Sequence, residues 1–250
     1  IAAGVQVQYF DVKLKAASGA AIGAPSNSLE GDDVGFGVTA GITLKPFKGT
    51  EIGLGYRSGV GQNLEGDLYT PTAIGLLPAG TYGIAVDMIT PDMVTLSAKQ
   101  EVTDDIRLLA TFEWANWSRL KAPAVELAAT GTTITNLEFN YNDGYFLALG
   151  GEYDFNEKLT LRAGAAYEWS PIDTEIRSAR LPDNNRIWLS AGASYSYNEH
   201  LSFDLGYTHI IGSDTDLDVS AGHQDFNGIT LVGDVDSSVD ILTASVRYTF

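Results

Sequence analysis

Six basic residues, Arg57, Arg107, Arg162, Arg186, Arg247 and Lys99, stand at alternate positions of segments whose other positions are apolar. A cation on a confined polar face can receive the carboxylate of an amphiphile, because a charge-assisted contact fixes an acidic head. Acidic residues occupy the same faces at Glu51, Glu113, Glu152, Glu168 and Asp204. The cations can therefore pair across strands instead, in a lattice that satisfies polar groups and holds shape. Both readings stay open, with Arg57, Arg107, Arg162 and Arg186 as the head-group candidates.

Other chemistry is poorly supported. The chain has no cysteine, which removes disulfides, thiol nucleophiles and thiolate metal sites. His200, His209 and His223 form no ligand-spaced cluster, and no Gly-x-Ser-x-Gly elbow occurs. Gly35-Phe36-Gly37 and Gly53-Leu54-Gly55 lie inside strand patterns with no helix following, so they are small wall residues rather than phosphate loops. Asp214, Asp216, Asp218 and Asp225 echo a calcium-loop spacing, but Val219 stands where the turn glycine belongs, so a solvated acidic loop is expected. No metal or cofactor is implied. The formal charge of −17 repels nucleic acid.

The elements that must position these residues follow from a period of two. Val34, Phe36, Val38, Ala40, Ile42 and Leu44 alternate with Gly35, Gly37, Thr39, Gly41, Thr43 and Lys45. Leu161, Ala163, Ala165, Tyr167 and Trp169 alternate with Arg162, Gly164 and Glu168 in the same way. About ten strands are expected, at 1–15, 34–46, 50–65, 84–100, 105–119, 136–154, 158–170, 185–197, 200–211 and 238–250. Short turns (46–49, 103–105, 154–158, 197–200) alternate with long connections (16–33, 66–83, 120–135, 171–184, 212–237). The apolar faces end in Trp114, Tyr167, Trp169, Tyr195 and Tyr207, as an interfacial girdle would. These features predict an all-β, antiparallel transmembrane β-barrel with a polar lumen, and the alternation explains a mean hydropathy near zero.

Several segments resemble the FadL/TodX family of outer-membrane transporters. Arg180-Leu181-Pro182-Asp183-Asn184-Asn185-Arg186-Ile187-Trp188 resembles its proline-aspartate segment before a late strand. Gly55-Tyr56-Arg57-Ser58 is similar to its tyrosine-arginine-serine strand. Thr90-Pro91-Asp92-Met93 with Trp114-Ala115-Asn116-Trp117-Ser118 is similar to its middle hairpin. The closing Tyr248-Thr249-Phe250 resembles the terminal signal read by the barrel-assembly machinery. The resemblance implies that residues 1–250 are the C-terminal portion of a 14-stranded barrel, with the N-terminal hatch and early strands outside this sequence.

The implied function is passive transport of hydrophobic molecules, long-chain fatty acids or aromatic hydrocarbons, across the outer membrane of a Gram-negative bacterium. Its partners would be the hydrophobic ligand, outer-membrane lipid with lipopolysaccharide, and the assembly machinery. Two outer loops of the family form a greasy landing groove, and 16–33 and 66–83 hold the corresponding positions. Leu68, Tyr69, Ile74, Leu76, Leu77 and Tyr82 are the groove candidates, because exposed apolar loop residues are costly unless they cover something. Ile22 and Leu29 are the larger apolar residues of 16–33. The alternatives are a general porin or a ten-stranded outer-membrane protease, for which His209 with Asp214 is the nearest acid–histidine pair. No enzyme is expected.

Overall fold

The computed structural model describes residues 1–18, 23–75, 77–226 and 228–250. The first half of the chain forms β1 (Ala2–Ala17), β2 (Ser26–Phe47), β3 (Thr50–Arg57), β4 (Gly61–Thr70), β5 (Gly80–Ile89), β6 (Met93–Glu101) and β7 (Ile106–Ala115). The second half forms β8 (Ala124–Leu127), β9 (Thr133–Asn136), β10 (Gly144–Asn156), β11 (Leu159–Trp169), β12 (Arg186–Ser196) and β13 (Leu201–Gly212). The short hairpin β14 (Thr215–Val219) and β15 (Leu231–Val235) precedes the last strand, β16 (Ser238–Tyr248). The only helical element among the described residues is a 3-10 turn at Trp117–Arg119.

Ten strands are staves of one antiparallel wall, in the order β1-β2-β3-β6-β7-β10-β11-β12-β13-β16. That number was expected, and the four short turns fall where the sequence places them. At the β2–β3 turn Gly49 has φ of +78°, a left-handed conformation that glycine adopts without steric cost. Four further strands extend the sheet to fourteen. β4 pairs with the upper part of β2, and β5, β8 and β9 follow. The wall is open: among the described strands β1 pairs with β2 alone and β16 with β13 alone.

The two faces of the wall obey the alternation. Phe36 is 68% exposed, Leu205 57% and Leu242 73%, so no second sheet covers that face. Aromatics bound it at both ends. Tyr153–Phe155 and Tyr248–Phe250 meet edge-on near the short turns, and Tyr167–Trp169 stand at the other end with ring centroids 4.7 Å apart. An outward apolar band between two aromatic girdles is the surface that lipid requires.

The long connections are more structured than expected. β1 runs on to Ala17 and β2 begins at Ser26, so the connection reduces to 18–25 and most of 16–33 is strand. The reason is a reversal of faces. Val5, Val7 and Tyr9 point outward while Gln6 and Gln8 point in. Beyond Tyr9 the charged Asp11, Lys13 and Lys15 take the outward positions, and Phe10, Val12 and Leu14 turn inward. This marks where β1 leaves lipid for water, because only there does the apolar side become the inner one.

The expected strands 50–65 and 84–100 are each two strands. β3 ends at Arg57, and the chain crosses the inner face of β2 before β4 begins. A Cβ on Gly35 would lie 2.4 Å from Val60 Cγ1 and 2.5 Å from the Gly61 carbonyl oxygen, so only glycine admits the crossing. Residues 66–83 are the tip of the β4–β5 hairpin, 120–135 contains β8 and β9, 212–237 contains β14 and β15, and β10 begins only at Gly144. The inner face of β4, β5 and β8 buries Leu64, Leu68, Ile84, Val86 and Val125 with Leu29, and Phe10, Val12 and Leu14 pack against them. This is a water-soluble style of core, set above the lipid-facing band as a cap over one side of the mouth.

Candidate functional site

The inner face of the wall divides into three levels. Nearest the short turns lies a hydrogen-bonded hoop. Arg107 on β7 donates Nη1 and Nη2 to both Asp154 carboxylate oxygens at 2.7 Å, and Nε to Glu152 at 2.8 Å. Glu152 also accepts from Arg162 Nε at 2.7 Å, and Asp154 from the Thr160 hydroxyl at 2.7 Å. Arg162 continues to the Ser194 hydroxyl, Ser194 donates to Asp204, and Ser245 closes the run on Asp204 at 3.0 Å. Six adjacent staves from β7 to β16 are thereby tied by side chains as well as by their backbone ladders. Strand register makes this possible, since Glu152 lies opposite both Arg107 and Arg162, and Asp204 opposite both Ser194 and Ser245.

Above the hoop the wall is floored by small residues. Gly150, Gly164, Ser190, Gly192, Gly206 and Thr208 line a concavity of about 530 Å³. Phe146 and Trp188 stand over it, edge to face with centroids 5.9 Å apart. Trp188 donates Nε1 to Glu168 at 3.0 Å, so its ring is fixed rather than free to fill the space. Small side chains cannot fill the bore, which leaves room for an elongated molecule against this wall.

The third level is the mouth. Leu14, Phe139, Tyr141, Ile172, Ile176 and Leu181 enclose a smaller cavity of about 200 Å³ between the top of β1 and the connections 137–143 and 171–184. These connections are held rigidly. Ser170 donates its hydroxyl to Asp183 at 2.6 Å and its amide to Asn185 at 2.9 Å. Asn184, 2% exposed, donates to the Ser213 carbonyl at 3.0 Å and the Ser237 hydroxyl at 3.3 Å. The polar residues of the proline-aspartate segment therefore tie together the outer ends of four neighbouring staves, β11, β12, β13 and β16.

The head-group candidates separate on these partners. Arg107 and Arg162 belong to the hoop. Arg186 pairs with Asp183 at 2.6 Å and Glu168 at 3.5 Å, and its buried Nε has no partner among the described residues. Arg57 donates Nε to the neutral Gln6 at 2.5 Å, with no ion pair among the described residues. Lys99 is 4.0 Å from Glu51, which Lys45 engages at 2.9 Å.

Of the groove candidates, Leu68 lies inside the cap core at 7% exposure, while Tyr69 on the other face of β4 is 46% exposed. Ile74 and Leu77 exchange backbone hydrogen bonds of 2.9 and 3.0 Å across the hairpin tip, and Tyr82 donates its hydroxyl to the Pro78 carbonyl at 2.8 Å. Leu76 and Ile22 lie outside the described residues. The mouth residues Phe139, Tyr141, Ile172 and Ile176 escaped the sequence reading, because they sit in irregular segments with no period. The one available signal was apolar content in connections that should be polar.

One node ties mouth to wall. Asp92, beside β6, accepts from the Tyr56 hydroxyl and the Gly59 amide, both at 2.9 Å, on one oxygen. The other oxygen accepts from Arg119 and from Asn116 at 3.4 Å. The Gly59 amide and the Tyr56 and Arg119 side chains together outweigh partial burial and hold its carboxyl down at about 2.

All 250 residues match the profile of a family described as outer membrane protein transport protein (OMPP1/FadL/TodX). A long-chain fatty acid transport protein of Escherichia coli O6:H1 is 33% identical over 199 residues, covering 74% of this chain and 44% of that protein. Outer membrane protein P1 of Haemophilus influenzae Rd is 34% identical over 181 residues, covering 71% of this chain and 38% of that protein. The chain thus spans less than half the length of these relatives. Among solved structures, a Pseudomonas aeruginosa FadL homologue superposes with a TM-score of 0.82 at 24% identity, over 98% of this chain and 63% of that one. The Pseudomonas putida toluene transporter TodX gives 0.62 at 15% identity, over 99% and 65%. The fold is therefore shared with outer-membrane β-barrels.

Proposed function

Since the chain belongs to the OMPP1/FadL/TodX family of outer-membrane transport proteins, we propose that it forms wall and outer mouth of a passive channel for hydrophobic molecules. The protein resides in the outer membrane of a Gram-negative cell. The observation that carries the reading is the reversal along β1 and β2. The inner surface packs as an apolar core above the lipid and is a wall of small residues beneath Phe146 and Trp188 within it. A lipophile leaving water gains about 25 cal/mol for each Å² of apolar surface it buries at the mouth. The small-residue wall beneath, with Phe146 and Trp188 over it, keeps the molecule against apolar surface as it moves down its concentration gradient.

The substrates are long-chain fatty acids or aromatic hydrocarbons. Arg57, held by a neutral amide, receives an acidic head within the bore, whereas Arg107 and Arg162 maintain the shape of the wall. Tyr69, Ile74, Leu77 and Tyr82 contribute the outer landing surface. Lipid with lipopolysaccharide surrounds the outward band, and the assembly machinery reads Tyr248-Thr249-Phe250. Further strands join the free edges of β1 and β16, since unpaired backbone is costly in hydrocarbon, and a hatch segment fills part of the bore. The process needs no catalytic group.

Uptake of radiolabelled oleate and toluene by cells that lack their own transporter tests this. Expression should restore uptake of at least one of them, and Arg57→Ala should slow oleate while sparing toluene. No uptake of either, or a large steady ion conductance in planar bilayers, overturns the reading in favour of a general porin.

A further inference from the structure

The mouth cavity has apolar walls and one polar corner, where Tyr141, Arg180 and Asp225 meet. Tyr141 is 8% exposed and lines the cavity, and its hydroxyl, which makes no hydrogen bond among the described residues, stays accessible there as a donor. Burial first, then Asp183, raises the Tyr141 pKa, so the group remains a proton donor.

At the same cavity Arg180 donates Nη2 to Asp225 at 2.5 Å, linking the 171–184 connection to the segment before β15. Asp225 is held from behind. Its amide donates to His223 Nδ1 at 3.0 Å, and His223 Nε2 donates to the Arg177 carbonyl at 3.1 Å. Gln224 adds a bond to the Ile176 carbonyl at 3.4 Å. Arg177 itself is 5% exposed and donates to the carbonyls of Asp183 at 2.8 Å and Asp216 at 3.0 Å. The carboxylate is thus fixed on a braced segment, and the Arg180 side chain, 53% exposed, is the movable partner. An ion pair so open to solvent contributes little and is readily exchanged.

We propose that the mouth cavity is a selectivity site for anionic amphiphiles, in which Arg180 releases Asp225 to take the ligand's carboxylate and Tyr141 donates its hydroxyl to the same head. The tail lies against Leu14, Phe139, Ile172 and Leu181. A neutral lipophile of equal length fills the apolar walls but brings no charge to open the Arg180–Asp225 pair. The inference rests on reading the chain as the mouth of a channel for hydrophobic molecules, and adds which of them it prefers and where the choice is made.

Titration calorimetry of the protein in lipid nanodiscs, with empty nanodiscs subtracted, tests it using decanoate and decanol, which share a tail and differ in head. Decanoate should bind about tenfold more tightly, the scale of one charge-assisted contact. Arg180→Gln should abolish that preference, Tyr141→Phe should reduce it several-fold, and Asp225→Asn should strengthen decanoate binding by freeing the guanidinium. Heat-modifiable electrophoretic mobility establishes that each variant is a folded barrel. A decanoate preference that survives Arg180→Gln in a folded variant overturns the proposal, as does equal binding of the two ligands to the unmodified protein, and in both cases the channel reading stands. If neither ligand binds the unmodified protein, the channel reading falls too.

Discussion

Asp92→Asn isolates the node on which the inward crossing of residues 58–60 depends. The amide oxygen can still accept from the Tyr56 hydroxyl and the Gly59 amide, both 2.9 Å away in the native protein. The new NH2 group, however, faces Arg119 and the Asn116 amide nitrogen, donors where the carboxylate offered an acceptor. One charge-assisted hydrogen bond is lost and a donor is left facing a cation, a cost of about 2 kcal/mol, or a factor of about 30. The loss is local, because the wall staves below keep their ladders. Hydrogen exchange followed by mass spectrometry should show peptides covering 58–61 exchanging about 30-fold faster, with β11 and β12 unchanged. Val60, whose amide donates to the Thr90 hydroxyl at 2.9 Å, should follow Gly59. Unchanged protection at 58–61 would refute the node, and uniform loss of protection across the wall would show that Asp92 supports the barrel rather than the crossing.

The same carboxylate sets a pH window: with its pKa lowered to about 2, its stabilising contribution is complete above about pH 4 and is lost as pH falls through 2. Exchange at 58–61 should therefore accelerate below pH 4, after correction for intrinsic rates, and the acceleration should vanish in Asp92→Asn. Gly66→Ala places a Cβ 1.9 Å from the Glu30 carbonyl oxygen, so β4 should detach from β2 and protease cleavage within 71–79 should rise, with the barrel intact. Leu68→Ala empties part of the cap core and should cost about 2–4 kcal/mol of cap stability, read as earlier loss of β4–β5 protection in denaturant. Because the chain has no cysteine, single replacements report the faces cleanly. Val7→Cys should resist a membrane-impermeant thiol reagent on whole cells and Lys13→Cys should react, and equal labelling of the two would sink the boundary placed at Tyr9.

The ten staves were legible because lipid enforces one rule along the length that crosses it: outward residues are apolar and inward ones small or polar. Ile52, Leu54 and Tyr56 could be assigned to a face from sequence alone. The cap was illegible for the same reason. Beyond Tyr56 the even positions read Ser58, Val60, Gln62 and Leu64, and two polar residues among apolar ones do not mark that the chain has left the wall between β3 and β4. Glycines at 35 and 37 looked like ordinary inward residues, and their second role, admitting Val60, depends on a contact distant in sequence. The paired cations were readable as a class, but register alone decides that Arg107 meets Asp154 and Glu152 while Arg57 meets Gln6. The mouth cavity had no periodic signature, because its residues lie on connections shaped by capping bonds from Ser170, Asn184 and Asn185.

The reversal of faces also explains why cap and wall can be one continuous sheet. In lipid an outward leucine is solvated by its surroundings, and an inward polar residue is solvated by the bore. Above the lipid both conditions invert, so a stave that kept its pattern would hold apolar residues in water outside and polar ones against the cap inside. β1 avoids this by exchanging the faces across the single step from Tyr9 to Phe10, with no bulge in its pairing to β2. The backbone ladder is indifferent to which side is apolar, so register is preserved while the solvent changes. A surface attractive to lipophiles is thereby created at the inner rim of the mouth. Drawing that surface from the same strands that span the lipid fixes its position relative to the bore, which a mobile loop could not do.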